Sequence, residues 1–195
     1  MTNTKNLLYT VAITINLLAG CGGGGASDPV PDSSRPLAKF VGSYAYCGGN
    51  ERAQLTIAEV NSTTISLTLK SDYYQNTNCA GPIVGTTSIS APIQAIHQST
   101  GSAIVTGWPA ASSTATLSVD RTTFQIPALT TTVTGTGVTT VNAERCVAYT
   151  NGRTCIDVSP STAAIIVGGL AFTDTALLIL TATSTGYSRE EAYPR

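Results

Sequence analysis

Hydrophobic and polar residues alternate with a period of two along much of the chain after residue 37. Single polar residues separate the apolar ones in the segments 55–57, 65–69 and 117–119. Successive side chains of a β-strand point to opposite faces, so this alternation is typical of strands with one buried face. No helical stripe of comparable length is visible in the sequence, and the pattern predicts an all-β domain.

Nine segments have this strand-like character. They are 39–47, 53–59, 63–70, 82–90, 103–108, 114–120, 131–141, 145–149 and 155–158. We expect the Thr-rich segment among them to be a strand with an irregular bend at Gly135 or Gly137. Short strands at this spacing predict a single antiparallel up-and-down barrel, and a β-sandwich is the alternative.

The segment 163–180 is the most apolar part of the chain after the N-terminal region, so a membrane-spanning segment has to be considered. It is interrupted by Gly168-Gly169 and by Thr173-Asp174-Thr175. A central Asp in lipid costs about 2.5 to 3.5 kcal/mol on insertion scales. We therefore interpret the segment as two buried strands around a turn.

Length and composition agree with a single domain and disfavour one class of partner. The chain has 195 residues, of which 11% are charged and 42% hydrophobic, and its net charge of -1 comes from scattered residues. Such a chain lacks the basic patch that phosphate backbones require. No nucleic acid partner is expected.

The first twenty residues have the layout of a secretory signal peptide. Lys5 precedes the apolar stretch 7–18, which is followed by small residues. This stretch is shorter than the roughly 20 apolar residues of a membrane-spanning helix. Leu18-Ala19-Gly20-Cys21 matches the lipobox at every position, and in this the chain resembles bacterial lipoproteins.

The resemblance implies a covalent lipid anchor on Cys21. In that family the cysteine thiol receives a diacylglyceryl group, a signal peptidase cuts just before the cysteine, and the new amino terminus is acylated. Several acyl chains, at about 0.8 kcal/mol per buried methylene, make attachment to the membrane effectively permanent. The next residue is Gly22 rather than the Asp that commonly signals inner-membrane retention, so we expect an outer-membrane anchor facing the periplasm or the cell surface.

These features divide the chain into three parts. Residues 1–20 form the signal peptide, residues 21–36 a lipidated tether rich in Gly, Pro and Ser, and residues 37–195 the folded domain. The tether has no apolar periodicity with which to order itself. As a flexible coil it has a typical reach of about 20 Å, enough to hold the domain clear of lipid headgroups.

Four cysteines remain after Cys21, an even number that predicts two disulfides in an oxidising compartment. Three connectivities are possible, and sequence proximity favours Cys47 with Cys79 and Cys146 with Cys155. A metal site is the alternative interpretation. The spacings contain no C-x-x-C unit, and an oxidising compartment disfavours thiolate ligands, so no metal is expected.

Turn geometry restricts the pairing of Cys146 with Cys155. A two-residue turn at Asn151-Gly152 places Cys146 opposite Asp157, with the two cysteines on a diagonal about 7 Å or more apart, too far for a bond. A four-residue loop 149–152, with Gly152 in the left-handed conformation, places the cysteines directly opposite each other. We therefore predict that loop, and a two-residue turn counts against the pairing.

Short motifs resemble the lipocalin-like, calycin-type barrels of small bacterial lipoproteins. Gly42-Ser43-Tyr44 lies on the first strand with Cys47, Asn78-Cys79-Ala80-Gly81 follows the third, and Gly186-Tyr187 lies near the end. The resemblance implies a first strand joined to a later Cys-x-Gly turn and a late strand that closes the barrel. Lipoprotein inhibitors of lysozyme share a first strand like 44–47, but their Ser-Gly-x-x-Tyr motif is poorly matched by 184–187.

The sequence does not single out a catalytic site. His97 is the only histidine, and no G-x-S-x-G or S-x-x-K motif accompanies it, so neither a Ser-His-Asp triad nor a zinc site is expected. A glycosidase needs two carboxylates, and none of the candidates is distinguished by its neighbours. They are Glu51, Glu59, Asp72, Asp120, Glu144, Asp157 and Asp174. We predict no catalytic residue and no cofactor.

Binding is the remaining class of function. Five aromatic residues either line a barrel mouth or, in the preferred interpretation, pack into the core. They are Tyr44, Tyr46, Tyr73, Tyr74 and Trp108. The leading hypothesis is a non-enzymatic, lipid-anchored barrel that binds a small apolar ligand or an envelope protein. The alternatives are a structural or surface-interaction lipoprotein with a solid core, a lysozyme inhibitor, or a hydrolase of unrecognised type.

Overall fold

A computed structural model describes residues 34–195, which fold almost entirely into β-strands. A 3-10 helix, η1, precedes the first strand. The elements are η1 Ala38–Phe40, β1 Gly42–Gly48, β2 Glu51–Asn61, β3 Thr64–Asn76, β4 Ala80–Ile89, β5 Ile93–Thr106, β6 Thr114–Ile126, β7 Thr131–Thr134, β8 Val138–Val141, β9 Glu144–Tyr149, β10 Gly152–Ile156, β11 Ala164–Phe172, β12 Ala176–Thr183 and β13 Gly186–Pro194. The predicted all-β class is confirmed.

Ten strands form one mixed sheet and three form a second, smaller sheet. The large sheet has the order β1-β2-β3-β5-β13-β12-β11-β6, with β4 paired to β3 and β7 paired to β4. The small sheet has the order β10-β9-β8. Since β5 also pairs with β6, the pairing runs from β5 through β13, β12, β11 and β6 back to β5.

One pairing departs from the purely antiparallel arrangement expected from the sequence. β13 runs parallel to β5, where Tyr187 and Ser188 lie opposite Val105 and Thr106. β3 pairs with β5 only over the first four residues of that strand. The far end of the same edge of β5 is therefore available to β13.

The predicted strands are mostly present, but several are longer or divided. The predicted segment 103–108 overlaps the end of the long strand β5, the segment 114–120 is part of β6, and 131–141 contains the two strands β7 and β8. The break between β7 and β8 contains Gly135, where the bend was predicted and φ is +135°. A β-carbon at Gly135 would overlap the carbonyl oxygen of Val84, so only glycine fits there.

The apolar segment 163–180 forms the antiparallel strands β11 and β12, as predicted, with the turn at Thr173 to Thr175. Its paired glycines do not interrupt β11. A β-carbon on Gly168 would collide with the Leu180 carbonyl oxygen and lie 2.6 Å from Phe124 Cε2. The absence of a side chain at this position therefore allows β11 to pack closely against its neighbours.

The hairpin β11–β12 separates two hydrophobic cores. Leu170 and Leu177 belong to the first core, whereas their neighbours Ala171 and Leu178 belong to the second. The first core consists of Leu37, Phe40, Leu55, Ile57, Ile65, Leu67, Ala95, Phe124, Leu170, Leu177 and Tyr193. The second consists of Val105, Val119, Ala171, Ala176, Leu178, Leu180 and Tyr187. Because side chains alternate along a strand, each face of the hairpin packs into a different core.

Both predicted cysteine pairs lie at disulfide distance. Cys47 on β1 and Cys79, just before β4, have α-carbons 6.0 Å apart. Cys146 on β9 lies directly opposite Cys155 on β10, with α-carbons 3.9 Å apart. The first pair joins distant parts of the large sheet, and the second closes a hairpin of the small sheet.

The register of the β9–β10 hairpin is as predicted, but its turn is not. Tyr149 pairs with Gly152, so only Thr150 and Asn151 lie at the tip, and the predicted four-residue loop is wrong. The φ angle of Gly152 is +157°, far from the left-handed helical value. This two-residue turn is compatible with the disulfide because it is centred one residue earlier than the Asn151-Gly152 turn considered above.

Candidate functional site

The five aromatic residues considered for a barrel mouth do not share one site. Tyr44 and Tyr46 pack against the first core and Trp108 against the second. Tyr73 lies in a third cluster, between the two sheets, and Tyr74 is half-buried on β3. Four of the five therefore belong to three separate packed regions, as the preferred interpretation of these residues requires, whereas Tyr74 belongs to none of these clusters.

The most deeply buried carboxyl group in residues 34–195 belongs to Asp120 on β6, which is 1% exposed. Lys39 Nζ lies 2.6 Å from its Oδ2 atom, and the Thr100 hydroxyl donates a hydrogen bond of 2.6 Å to Oδ1. His97 Nε2 is 3.6 Å from Oδ1. Asp120 thus links η1 to the strands β5 and β6.

A β-bulge brings His97 and Thr100 to the same side of β5. His97 pairs with Thr122, Ser99 with Arg121 and Thr100 with Asp120, so β5 contains one extra residue at this point. The extra residue reverses the alternation of side chains between faces. His97 Nε2 and Thr100 Oγ1 consequently lie 3.1 Å apart, a neighbourhood that the even spacing of a regular strand would not provide.

This group of residues is not arranged as a catalytic triad. In a triad, one ring nitrogen of the histidine faces the acid while the other takes the proton of the nucleophile. Here Nε2 of His97 faces both Thr100 and Asp120, and the Thr100 hydroxyl donates a hydrogen bond to Asp120. The geometry serves a buried ionic network rather than activation of the hydroxyl.

Glu191 on β13 is a second carboxyl group withdrawn from solvent. The Tyr46 hydroxyl donates a hydrogen bond of 3.3 Å to Glu191 Oε2, and the Tyr46 and Tyr193 rings pack edge to face. Burial raises the pKa of Glu191, and the negative charges of Glu51 and Glu190 raise it further, against the hydrogen bond from Tyr46. The contact links β1 to β13, which are not neighbours in the strand order.

Glu191→Gln is expected to increase stability at neutral pH. The folded-state pKa of Glu191 is raised above its usual value, so the folded state binds its proton more tightly than the unfolded state and loses stability as pH rises through that pKa. Glutamine resembles the protonated acid. The gain in stability should therefore be present at pH 7 and disappear as pH falls below the ordinary pKa of glutamate. Thermal unfolding between pH 3 and pH 8 measures it. Glu144→Gln, at an exposed position, is the control for replacing a carboxylate by an amide.

Asp72 on β3 is buried but fully hydrogen-bonded. Burial opposes its ionisation, yet hydrogen bonds from Lys70, Thr86 and Gln54 outweigh this effect and lower the pKa of Asp72. The Gln54 and Thr86 donors lie 2.6 Å and 2.9 Å from its oxygens. With its acceptors occupied by its own sheet, Asp72 is a structural charge rather than a ligand-binding group.

An open groove lies on the outer surface where β5 and β11 begin and β6 ends. Its volume is about 660 Å³, and its lining includes Pro92, Gln94, Gln125, Pro127 and Ile165. Its lining residues include none with a formal charge and none with an aromatic ring. Such a surface offers apolar contacts and amide hydrogen bonds but no group for acid, base or metal chemistry.

The predicted site residues have different outcomes. Cys21, the predicted point of lipid attachment, and the rest of the lipobox lie outside the described residues. Glu144 and the pair Cys146 and Cys155 bring ligand-type atoms within 4.8 Å of one another. Because the two sulfurs are bonded to each other, they do not provide thiolates for a metal.

In residues 34–195, no helix has the length and apolar character needed to cross a membrane. Comparisons with known protein families, with curated proteins and with solved structures find no match for the chain.

Proposed function

We propose that this chain is a lipid-anchored protein of the bacterial cell envelope, held at the outer membrane through Cys21. Its β domain is a non-enzymatic module that binds an envelope partner through its outer surface. The lipobox match supports the anchor. Two cysteine pairs at disulfide distance support export, since disulfides persist in oxidising compartments.

Packing of the interior is the observation that favours surface interaction over storage of a ligand inside the domain. Phe40, Leu55 and Tyr193 are fully buried in the first core, and Val105 and Leu178 in the second. A ligand-holding barrel needs interior space, and these side chains occupy it. The groove, in contrast, lies on the outside.

The proposal includes a lipocalin-like barrel for the large sheet. Two observations support it: the strand pairing returns to β5 through β13, β12, β11 and β6, and the bond from Tyr46 to Glu191 brings β1 beside β13. In this arrangement η1 covers one end of the first core with Leu37 and Phe40. The parallel pair of β5 and β13, together with the small sheet, distinguishes it from a simple up-and-down barrel.

The second candidate function is binding of a small apolar ligand in the outer groove. A volume of about 660 Å³ lies within the range of about 300 to 1,000 Å³ that small-molecule sites occupy. The two functions differ in what remains bound to the purified protein: a ligand-binding groove retains a small molecule, and a surface for an envelope partner does not.

The anchor is tested by metabolic labelling with radioactive palmitate in the cells that make the protein. We expect the label in the wild-type product, recovered with the outer membrane, and none in Cys21→Ala. Label entering the Cys21→Ala variant equally well contradicts the anchor. Native mass spectrometry of the wild-type protein purified from its own envelope then separates the two functions, because a retained small ligand adds mass beyond that of the lipid.

A further inference from the structure

We propose that Lys39 and Asp120 become joined by an intramolecular amide bond between Lys39 Nζ and Asp120 Cγ. The two side chains form the ion pair described above, in which Nζ lies 2.6 Å from Oδ2. The bond is a modification that the folded chain makes on itself, and it connects η1 to β6. It needs no anchor, ligand or partner, so it is independent of the function proposed above.

The positions of the two reacting atoms suit bond formation. Because Nζ is 2.6 Å from Oδ2 and Oδ2 is bonded to Cγ at about 1.2 Å, Nζ lies at most about 3.8 Å from Cγ. Reacting atoms in near-attack geometry are roughly 3 to 3.5 Å apart. Nζ approaches Oδ2 without the angles of a hydrogen bond, and this buried oxygen has no hydrogen-bond partner in the described part of the chain. No hydrogen bond therefore has to be broken when Oδ2 leaves.

The surroundings of the ion pair favour an uncharged product. Asp120 and Phe40 are each 1% exposed, and Lys39 Nζ lies 5.1 Å from the centre of the Phe40 ring. Burying two charges costs free energy, and an amide replaces both charges by one uncharged group. A well-oriented pair reaches an effective concentration of about 10⁵ to 10⁸ M, which opposes hydrolysis by solvent water. The side chain of Lys39 is 35% exposed, so the released water has a path to solvent.

Thr100 lies where the reaction places negative charge, and His97 orients it. The Thr100 hydroxyl donates a hydrogen bond of 2.6 Å to Asp120 Oδ1. A threonine hydroxyl has only one proton to donate, so His97 Nε2 is the donor in its contact of 3.1 Å with Thr100 Oγ1. His97 is thus a positioning residue. A preorganised donor such as the Thr100 hydroxyl stabilises a developing oxyanion.

The reaction is a condensation that releases one water molecule. The Lys39 ammonium first gives a proton to Oδ2 of Asp120, which leaves a neutral amine and a neutral acid. The nitrogen lone pair attacks Cγ, and the electron pair of the C=O bond moves to Oδ1, where the Thr100 hydroxyl stabilises it. A second proton passes from nitrogen to Oδ2, and the Cγ–Oδ2 bond breaks to release water. The C=O bond forms again at Oδ1, and the amide nitrogen keeps one hydrogen.

The bond creates a covalent link between the start of the domain and the interior of the large sheet. Lys39 belongs to η1, directly before β1, whereas β6 pairs with both β5 and β11. A force on the N-terminal end of the domain is then carried to β6 without first separating β1 from β2. The ion pair governs stability before the reaction, and the amide adds the link afterwards.

Tryptic digestion of the wild-type protein from its own envelope tests the bond. The chain is unfolded, reduced and alkylated before digestion, so the outcome does not depend on whether a variant folds. Trypsin releases the peptide 40–52 only if it cleaves after Lys39, and an amide on Nζ prevents that cleavage. We expect this peptide to be absent. The peptide 71–121, which contains Asp120, should be found only joined to the peptide with Lys39, at a mass one water molecule below their sum.

Asp120→Ala is the matched control for the digestion, since Lys39 then has no acid with which to react. This variant should release the peptide 40–52 in full. Release of the same peptide from the wild-type protein in equal yield overturns the proposal. Absence of the peptide 40–52 together with a free peptide 71–121 indicates a different modification of Lys39 and also overturns the proposal.

Thr100→Val tests the mechanism, because valine keeps the branched shape of threonine and lacks the hydroxyl. In pulse-labelled cells we expect the peptide 40–52 to disappear about 10²-fold more slowly than in the wild type, the usual effect of removing one oxyanion donor. Thr100→Ser should restore the wild-type rate, and circular dichroism checks that both variants are folded. Equal rates for the wild type and a folded Thr100→Val variant contradict the role given to Thr100.

Discussion

Asp120→Ala is expected to lower the free energy of unfolding by about 3 kcal/mol, because removing one partner of a buried ion pair leaves the others without compensation. The Asp120 carboxylate accepts a hydrogen bond from the Thr100 hydroxyl and forms an ion pair with Lys39. Asp120 itself is only 1% exposed. Lys39 keeps part of its side chain in solvent, so the loss should lie near the lower end of the range for broken buried pairs. Thermal or urea-induced unfolding measures it.

Asp174→Ala is the matched control for this experiment, since Asp174 is exposed in the turn between β11 and β12. Exposed charges of this kind usually change stability by no more than about 0.5 kcal/mol. A melting temperature of Asp120→Ala as high as that of the control would show that the network contributes nothing to the fold. Asp120→Asn measures the contribution of the charge alone to stability, because an amide keeps the shape of the side chain and removes its charge.

Loss of the Cys47–Cys79 pair is expected to destabilise the domain more than loss of the Cys146–Cys155 pair. The stabilisation by a disulfide grows with the length of chain that it closes in the unfolded state. With sequence separations of 32 and 9, the chain-entropy relation gives roughly 3.7 and roughly 2.6 kcal/mol. The double variants Cys47→Ser with Cys79→Ser and Cys146→Ser with Cys155→Ser measure the two values by denaturant unfolding without reductant.

The two double variants are each other's controls, since each removes two sulfurs and leaves one pair intact. Equal losses, or a larger loss for the short pair, would argue against loop closure as the main source of stabilisation. Cys47 joins β1 to the start of β4, so we expect its removal also to increase proteolysis of the N-terminal strands. Cys146 lies within the small sheet, where increased proteolysis should remain local.

The period-two pattern was sufficient to predict the class of the fold and most strands, but not their partners. Leu55 and Ile57, which are two residues apart, are both buried, as the alternation of apolar and polar residues predicts for one face of a strand. The parallel contact of Tyr187 with Val105 joins residues far apart in the chain, and no local propensity encodes it. Strand β13 has the charged residues Arg189, Glu190 and Glu191 in its middle, and these mask its alternation.

The candidate sites were less accessible to sequence reasoning than the fold. Asp120 was one of seven acidic residues without distinguishing neighbours, and its partner Thr100 comes into contact only through the bulge in β5. Glu191 was missed because β13 was not predicted, although its place two residues before Tyr193 is the spacing of one strand face. The cysteines were predictable because their number and spacing leave only three pairings.

Near its turn, the hairpin β11–β12 has no side that faces water, since Leu170 and Leu177 are buried on one side and Ala171 and Leu178 on the other. A polar substitution at any of these four positions has no solvent to turn towards, whichever way its side chain points. Because the hairpin contributes residues to both cores, unfolding of one core exposes residues of the other. The two cores therefore cannot unfold independently. The part of the domain that contains these two cores should therefore unfold in a single cooperative transition.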